Sequence, residues 1–417
     1  MAAVIVRRGL AGVTGAAFSA MAQFVLVVVV TRTYPATDAG AFFTATALAL
    51  MAAGIAKLDA GNGLVYFIAR AKTYGYRGIS GYLRAALVPC LAVATAAAVV
   101  LYPRLGALAV LLPVMVATDV LLAVTRGFGA VRPTVMLDGV LVPACQLVLV
   151  AGAALAGAAA WWLPLAWGAP YVPVLVLAAG GLRGRVPRTP YLPGTGRDLW
   201  RYTAPRSVAG AIQAVFQRVD IVIVALLAGP AQAAVYTAAT RFKVVGQLAN
   251  QGLAQAVQAG LVRALADGER ERAGELYQAA TIWLVLLTWP VWLAYAGLAP
   301  WVLRLFGPTY GSAVPVALVL SGTMMVATAC GMVDVVLTAA GHTVFSLLNL
   351  LAAIGCTVLL DLALIPAHGA LGAVAGWSGG VLVKNLLPLW QLHRRYGLHP
   401  FGRHTLAALR VRDWAAA

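Results

Sequence analysis

The stretch RGRVPRTPYLPGTGRDLWRYTAP, Arg183–Pro205, is the longest polar connection in a chain of 417 residues. Nearly everything on either side of it is apolar. Residues of the AVILMFWYC set make up 62% of the chain, charged residues only 10%, and mean hydropathy is +0.88. An average soluble domain carries about 25% charged residues, and a water-soluble fold could not hide this much apolar surface. The solvent must be lipid. That excludes a soluble enzyme, a disulfide scaffold and a disordered chain. Cys90, Cys145, Cys330 and Cys356 are scattered through apolar stretches without CxxC spacing and read as small buried hydrophobes.

Outward from Arg183–Pro205, charges and Pro/Gly breaks divide the chain into six apolar segments on each side. A helix needs about 20 such residues to cross a bilayer. The expected spans are Gly9–Thr31, Ala39–Ala69, Ser80–Leu101, Ala107–Thr125, Thr134–Ala156 and Trp161–Leu182, then Ala204–Ala228, Ala231–Val262, Tyr277–Leu298, Ser312–Ala339, Thr343–Ile365 and Ala370–Leu392. Arg7 and Arg8 before an apolar run resemble a signal peptide, but the run continues through Val27–Val30, which reads as an uncleaved first helix. The expected fold class is all-α integral membrane, about twelve helices in two six-helix lobes. The lobes are 1–182 and 204–392, with a basic linker at 183–203 and a basic tail at 393–417. A weak internal echo supports a parallel pseudo-repeat. Asp38-Ala39-Gly40-Ala41-Phe42 and Gln232-Ala233-Ala234-Val235-Tyr236 both follow a proline turn (Pro35, Pro230), and Leu101-Tyr102-Pro103 echoes Phe306-Gly307-Pro308.

The formal charge is +17, from 30 Lys plus Arg and 13 Asp plus Glu. With both termini in the cytoplasm, 22 of the 30 cations fall on that side and only Arg32, Arg104 and Arg304 on the other. The positive-inside rule expects this of a multi-pass plasma-membrane protein. Five cations remain within the spans: Lys57, Arg218, Arg241, Lys243 and Lys384. The candidate membrane acids are Asp59, Asp119, Asp138, Asp220, Asp334 and Asp361, of which Asp119, Asp138 and Asp361 are expected near helix ends. Each charge at a helix centre costs about 2.5–3.5 kcal/mol, so these groups should face water or one another. Arg218 and Asp220, two apart, should point to different faces, whereas Lys57 and Asp59 should pair across to other helices. In the eighth span, Gln247, Asn250, Gln251, Gln255 and Gln258 continue from Arg241 and Lys243 as a polar stripe that suits a water-lined face. A basic cavity implies an anionic ligand, and Arg and Lys suit phosphate. Internal salt bridges are the plainer role, above all for Asp59, Asp138 and Asp334.

The sequence contains neither a Walker GxxxxGK[ST] nor an HExxH motif, so neither cofactor nor metal is implied. His393, His399 and His404 lie in the basic tail, which is expected to be solvated, as is Asp267–Arg272.

Several motifs resemble the polysaccharide and oligosaccharide flippases of the multidrug/oligosaccharidyl-lipid/polysaccharide exporter superfamily. Leu305-Phe306-Gly307-Pro308-Thr309-Tyr310-Gly311 resembles their LFGxxY feature. Arg218-Val219-Asp220 with Gly229 and Val235-Tyr236-Thr237-Ala238-Ala239 is similar to their seventh-to-eighth span junction. Ala339-Ala340-Gly341-His342 and the run Leu364–Ala373 are similar to their turns before the last two spans, and Asp38-Ala39-Gly40 to their first outer turn. Ala234 stands where the family usually has glycine. The resemblance spans nearly the whole chain. It implies a non-enzymatic flippase that moves a polyprenyl-pyrophosphate-linked oligosaccharide from the inner to the outer leaflet by alternating access. It also implies a basic cavity, which span location maps onto Lys57, Arg218, Arg241, Lys243 and Lys384, with Gln247 and Gln251 for the sugars. Asp59, Asp220 and Asp334 are candidates for ion coupling. The implied partners are the lipid-linked oligosaccharide, membrane lipids, and the polymerase and glycosyltransferases of the same pathway, with no nucleic acid. The alternatives are a cation-coupled multidrug antiporter of the same fold, a flippase of a peptidoglycan precursor lipid, and a membrane glycosyltransferase or polymerase. The last would need an acidic catalytic pair and a large outer loop, but the chain lacks DxD and its outer loops are short.

Overall fold

Backbone in lipid must satisfy its own hydrogen bonds, which for this sequence means helices. The computed structural model describes residues 2–75, 78–186 and 191–405, and within them there is no strand. Arg77, Arg188, Arg410 and Arg412, counted above for orientation, lie outside the described residues, as do the side chains of Arg7 and Arg8. The chain divides into two compact units, one ending at Ala225 and the other starting at Leu226.

The first unit contains α1 (Ala2–Thr33), α2 (Ala36–Ala56), α3 (Ala60–Thr73), α4 (Ile79–Leu105) and α5 (Leu112–Gly127). A π-helical stretch, Thr134–Leu141, leads into α6 (Val142–Leu155), followed by α7 (Leu163–Gly168), α8 (Tyr171–Leu182), α9 (Thr195–Phe216) and most of α10 (Val219–Leu227). The second contains α11 (Pro230–Thr240), α12 (Lys243–Ala266), α13 (Arg270–Arg304), α14 (Val314–Ala329), α15 (Val333–Ala339) and α16 (Thr343–Tyr396). Large apolar side chains such as Val99, Leu155 and Leu359 are exposed, as a lipid-facing surface requires.

Eight helical stretches among the described residues are long and apolar enough to cross a membrane, nine with the bent pair α9–α10 counted as one. Two of the eight are double. The stretch Ile79–Gly127 is interrupted at Gly106 (φ 53°, ψ −135°) and α16 at Gly369 (φ 55°, ψ −128°). That backbone region is open essentially to glycine alone. Each glycine sits in the same local sequence, Pro103-Arg104-Leu105-Gly106-Ala107-Leu108 and Pro366-Ala367-His368-Gly369-Ala370-Leu371. In α16 the second arm folds back on the first. Gly372, Gly376 and Gly380 lie against Leu364, Asp361 and Thr357, so close that a Cβ at any of the three would overlap its neighbour. The remaining expected span is α11–α12, whose glutamines lower its hydropathy. The fold is therefore the all-helical, two-lobe membrane arrangement that the composition implies.

Several boundaries differ from the sequence reading. The second half of the polar linker is helix, because α9 starts at Thr195. Gly194 ends the loop in a left-handed conformation (φ 91°), and Asp198 in the first turn favours the positive helix end. Thr195, Leu199 and Thr203 form a buried stripe at helical spacing that packs toward α3 and α4. Leu101-Tyr102-Pro103 stays inside α4 whereas Phe306-Gly307-Pro308 follows the end of α13, so that echo is not structural. Pro35 and Pro230 do play matching roles, each opening a helix. The described part of the tail docks instead of being solvated. Leu398 is buried, Arg403 pairs with Glu271 at 2.6 Å, and the His404 N–H donates to Gln278 Oε1 at 3.0 Å.

Candidate functional site

Four of the five membrane cations sit at interruptions between consecutive helices. Lys57 caps the C-terminus of α2, Arg218 lies in the break between α9 and α10, and Arg241 caps α11, with Lys243 opening α12 just beyond. A helix C-terminus leaves carbonyls unpaired and a negative dipole end, and a cation there, as at Lys57 and Arg241, is stabilised by about 0.3–1 kcal/mol or somewhat more when partly buried. Lys243 is at the opposite, positive end of α12 and is held by other contacts. Broken backbone at membrane depth is tolerated where it is buried in protein or lines a water-filled cavity.

In the first unit the break after α2 is tight. Leu58 and Asp59 both have positive φ (49° and 51°), an uncommon state for residues with a Cβ. The turn is held from outside as well: Cys90 Sγ donates to the Lys57 carbonyl at 3.2 Å. The Lys57 ammonium forms an ion pair with Asp119 on α5. Asp59 accepts from Arg206 Nε of α9 at 2.7 Å and from Asn62 Nδ2 at 2.6 Å. Both residues thus pair across to other helices. Asp138, in the π-helical stretch, has Asp119, Lys57 and Arg126 as electrostatic neighbours. Arg218 has Tyr171 and Asp220, and Tyr171 in turn interacts with Asp119 and Asp138. Of these groups Lys57 and Asp119 are in direct contact, and Asp138 lies within electrostatic reach of both. Asp119 is in the middle of α5, not near its end, because the break at Lys57 supplies its counter-ion there. Arg218 lies in the break before α10, whereas Asp220 is in its first turn and accepts from the Ile221 N–H at 2.9 Å.

In the second unit, Lys243 is enclosed by aromatic rings. Its ammonium is 4.2 Å from the Trp377 ring centroid and 5.3 Å from that of Tyr236, and it donates to the Tyr236 hydroxyl at 3.3 Å. Phe242 stacks on Tyr295 at 4.1 Å, and the Tyr295 hydroxyl donates to the Ala239 carbonyl at 2.7 Å, fixing the break from both sides. Gln247 and Gln251 follow Lys243 at four-residue intervals on one face of α12 and are exposed, whereas Val257 and Leu261 are buried. Lys384 is half-buried on the second arm of α16, about 10 Å along the same face as Trp377. Asp334 opens α15 and accepts from the Ser346 hydroxyl, apart from the Arg241–Lys243 break. Asp361, expected near a helix end, is fully buried within α16 against Gly376.

The sequence reading did not single out Trp377, Tyr236 or Arg206. Trp377 carried a signal: it lies in the middle of the last span, away from the interfaces where tryptophan usually collects. Arg206 lies just beyond the basic linker, at the start of the expected seventh span.

Chemically, the two units offer cations at helix breaks, polar side chains on exposed helix faces, and aromatic surface. Such groups can engage an anionic, polar ligand within a multi-pass membrane fold. No protein-family model and no curated protein matches the sequence. Solved structures do share its fold. An inward-facing multidrug resistance MATE family transporter of the MOP superfamily is similar with a TM-score of 0.72 at 16% identity, over 91% of this chain and 94% of that one. The lipid II flippase MurJ in an inward closed conformation is similar with a TM-score of 0.75 at 9% identity, over 95% and 90%. A MOP superfamily transporter from Pyrococcus furiosus, described by the reverse polarity of its binding pocket, gives 0.58 at 17%, over 94% and 95%. At these identities the likeness is one of fold. The expectation of the exporter-superfamily architecture, twelve helices in two lobes, is met at that level.

Proposed function

We propose that the protein moves a polyprenyl-pyrophosphate-linked oligosaccharide from the inner to the outer leaflet of the plasma membrane, exposing the headgroup to the two sides in turn. The observation that carries this reading is the placement of Lys57, Arg218, Arg241 and Lys243 at interrupted helices, where a membrane protein keeps charge beside open backbone. Arg241 and Lys243 hold the pyrophosphate, Arg by paired N–H donors and Lys as a point charge. Gln247 and Gln251 hydrogen-bond sugar hydroxyls, and Lys384 extends the anionic track. Lys57, already engaged by Asp119, orients that carboxylate more than it binds ligand. Ion coupling falls to Asp59, Asp220 or Asp334, each of which holds a donor that H⁺ or Na⁺ would displace. Both termini face the cytoplasm, and the enzymes that assemble and polymerise the oligosaccharide are the natural partners.

One observation favours a second reading, a cation-coupled multidrug antiporter: Asp119 and Asp138 are electrostatic neighbours in the first unit. A flippase of a peptidoglycan precursor lipid would keep the same pyrophosphate chemistry. Purified protein in liposomes separates these readings. Loss of quencher access to a fluorescent polyprenyl-pyrophosphate-oligosaccharide, without uptake of a cationic dye, supports the flippase. Dye uptake driven by an H⁺ or Na⁺ gradient with the lipid unmoved would replace it by the antiporter. Movement of a peptidoglycan precursor lipid in preference to the oligosaccharide lipid would reassign the substrate.

A further inference from the structure

A cavity of about 660 Å³ opens within the first unit where α3, α4 and α9 converge. Its wall is a fixed aromatic panel. Phe67 stacks on Tyr82 at 4.9 Å and meets Tyr202 edge-on at 5.8 Å, and Tyr202 stacks on Tyr66 at 4.8 Å with the rings nearly parallel. Tyr74, at the end of α3, stands at the rim and is 78% exposed. Arg70 from the last turn of α3 and Arg201 from the second turn of α9 also line it, with Asp198 beside them. Neither arginine forms an ion pair among the described residues, in contrast to Arg206 one turn further along α9, which is spent on Asp59.

We propose that this pocket is a docking site for a phosphate-bearing sugar headgroup, distinct from the cations at the helix breaks. Two guanidiniums suit a phosphate or pyrophosphate by paired N–H donors. The aromatic faces suit the C–H surfaces of a sugar ring, and the Asp198 carboxylate accepts sugar hydroxyls. The volume falls within the usual range of small-molecule sites, about 300–1,000 Å³. The pocket sits at the helix ends where arginines collect, the side that the charge bias places in the cytoplasm. It would therefore receive the headgroup before transport, an inference that rests on the flippase reading. An anionic phospholipid offers the same phosphate, but its glycerol gives the ring faces less to stack on.

The test uses full-length protein in phosphatidylcholine nanodiscs and three probes: farnesyl-pyrophosphate-linked N-acetylglucosamine, farnesyl pyrophosphate, and phosphatidylglycerol. Binding is read by native mass spectrometry for wild type, Arg70→Gln/Arg201→Gln and Tyr74→Ala, each also combined with Arg241→Gln/Lys243→Gln to remove the other cationic site. In the Arg241→Gln/Lys243→Gln background, where only the pocket remains, the proposal expects the double arginine change to weaken binding of both pyrophosphates at least tenfold. It expects Tyr74→Ala to weaken only the sugar-bearing probe, severalfold. Unchanged binding on adding the double arginine change in that background would overturn it. Equal binding of phosphatidylglycerol and the sugar probe, with no discrimination by Tyr74→Ala, would overturn it in favour of a phospholipid site. The failures separate: flipping that proceeds at the wild-type rate in Arg70→Gln/Arg201→Gln removes the pocket and leaves the transport reading. Pocket binding by a protein that flips nothing does the reverse.

Discussion

Lys243 holds its ammonium 4.2 Å from the ring centroid of Trp377, linking the start of α12 to the second arm of α16. A π face attracts the charge and so anchors the lysine at the break. A partly buried contact of this kind is worth about 0.5–2 kcal/mol. Trp377→Phe should therefore keep most lipid transport, whereas Trp377→Leu should lower it severalfold, read as initial flipping rate at matched protein density. Equal rates for the two variants would show that the ring serves packing alone.

The Lys57–Asp119 pair predicts a pattern of rescue. Lys57→Gln or Asp119→Asn alone leaves one unpaired charge within the span, a cost of about 2.5–3.5 kcal/mol on insertion scales. Each single variant should lower the melting temperature in detergent, and the double variant should recover most of the loss. A double variant as unstable as the sum of the singles would show that the two residues act independently.

Gly106 and Gly369 share one backbone conformation but not one environment. Alanine at either position meets the conformational penalty, about 1–3 kcal/mol. At Gly369 a Cβ would also lie 2.8 Å from Gln232 Oε1, which accepts from the Ala370 N–H, whereas nothing lies within 4 Å at Gly106. Gly369→Ala should thus be the more destabilising of the two in thermal melts.

Asp59 adopts positive φ and accepts from Arg206 and Asn62. Asparagine tolerates this backbone state and a β-branched residue does not. Asp59→Asn should fold with a modest loss of stability, while Asp59→Val should sharply reduce the yield of monodisperse protein.

Apolar composition and punctuation by charge, proline and glycine made the membrane class and the two-lobe organisation legible, because lipid leaves the backbone few choices. Where helices break inside the membrane was less legible. Lys57-Leu58-Asp59 contains neither glycine nor proline, and its turn depends on Cys90, Asp119 and Arg206 from elsewhere in the chain. The helical start of α9 was hidden for a related reason: the arginines that mark 183–205 as polar are also good helix formers. The cationic candidates could be read from hydropathy, but their partners could not. Trp377 and Asp119 meet Lys243 and Lys57 only through packing between helices.

The central claim is that the cations at the α11–α12 break bind the pyrophosphate of a lipid-linked oligosaccharide. The most direct measurement compares wild type with Arg241→Gln/Lys243→Gln in liposomes, following protection of a fluorescent polyprenyl-pyrophosphate-oligosaccharide from an external quencher. Gel filtration and thermal melting confirm that both proteins are folded. The account predicts that wild type moves the lipid and that the double variant, equally folded, loses at least about 1.4 kcal/mol of effective binding, a tenfold or greater fall in rate. Transport at the wild-type rate by the folded double variant would contradict it and leave those cations with a structural role.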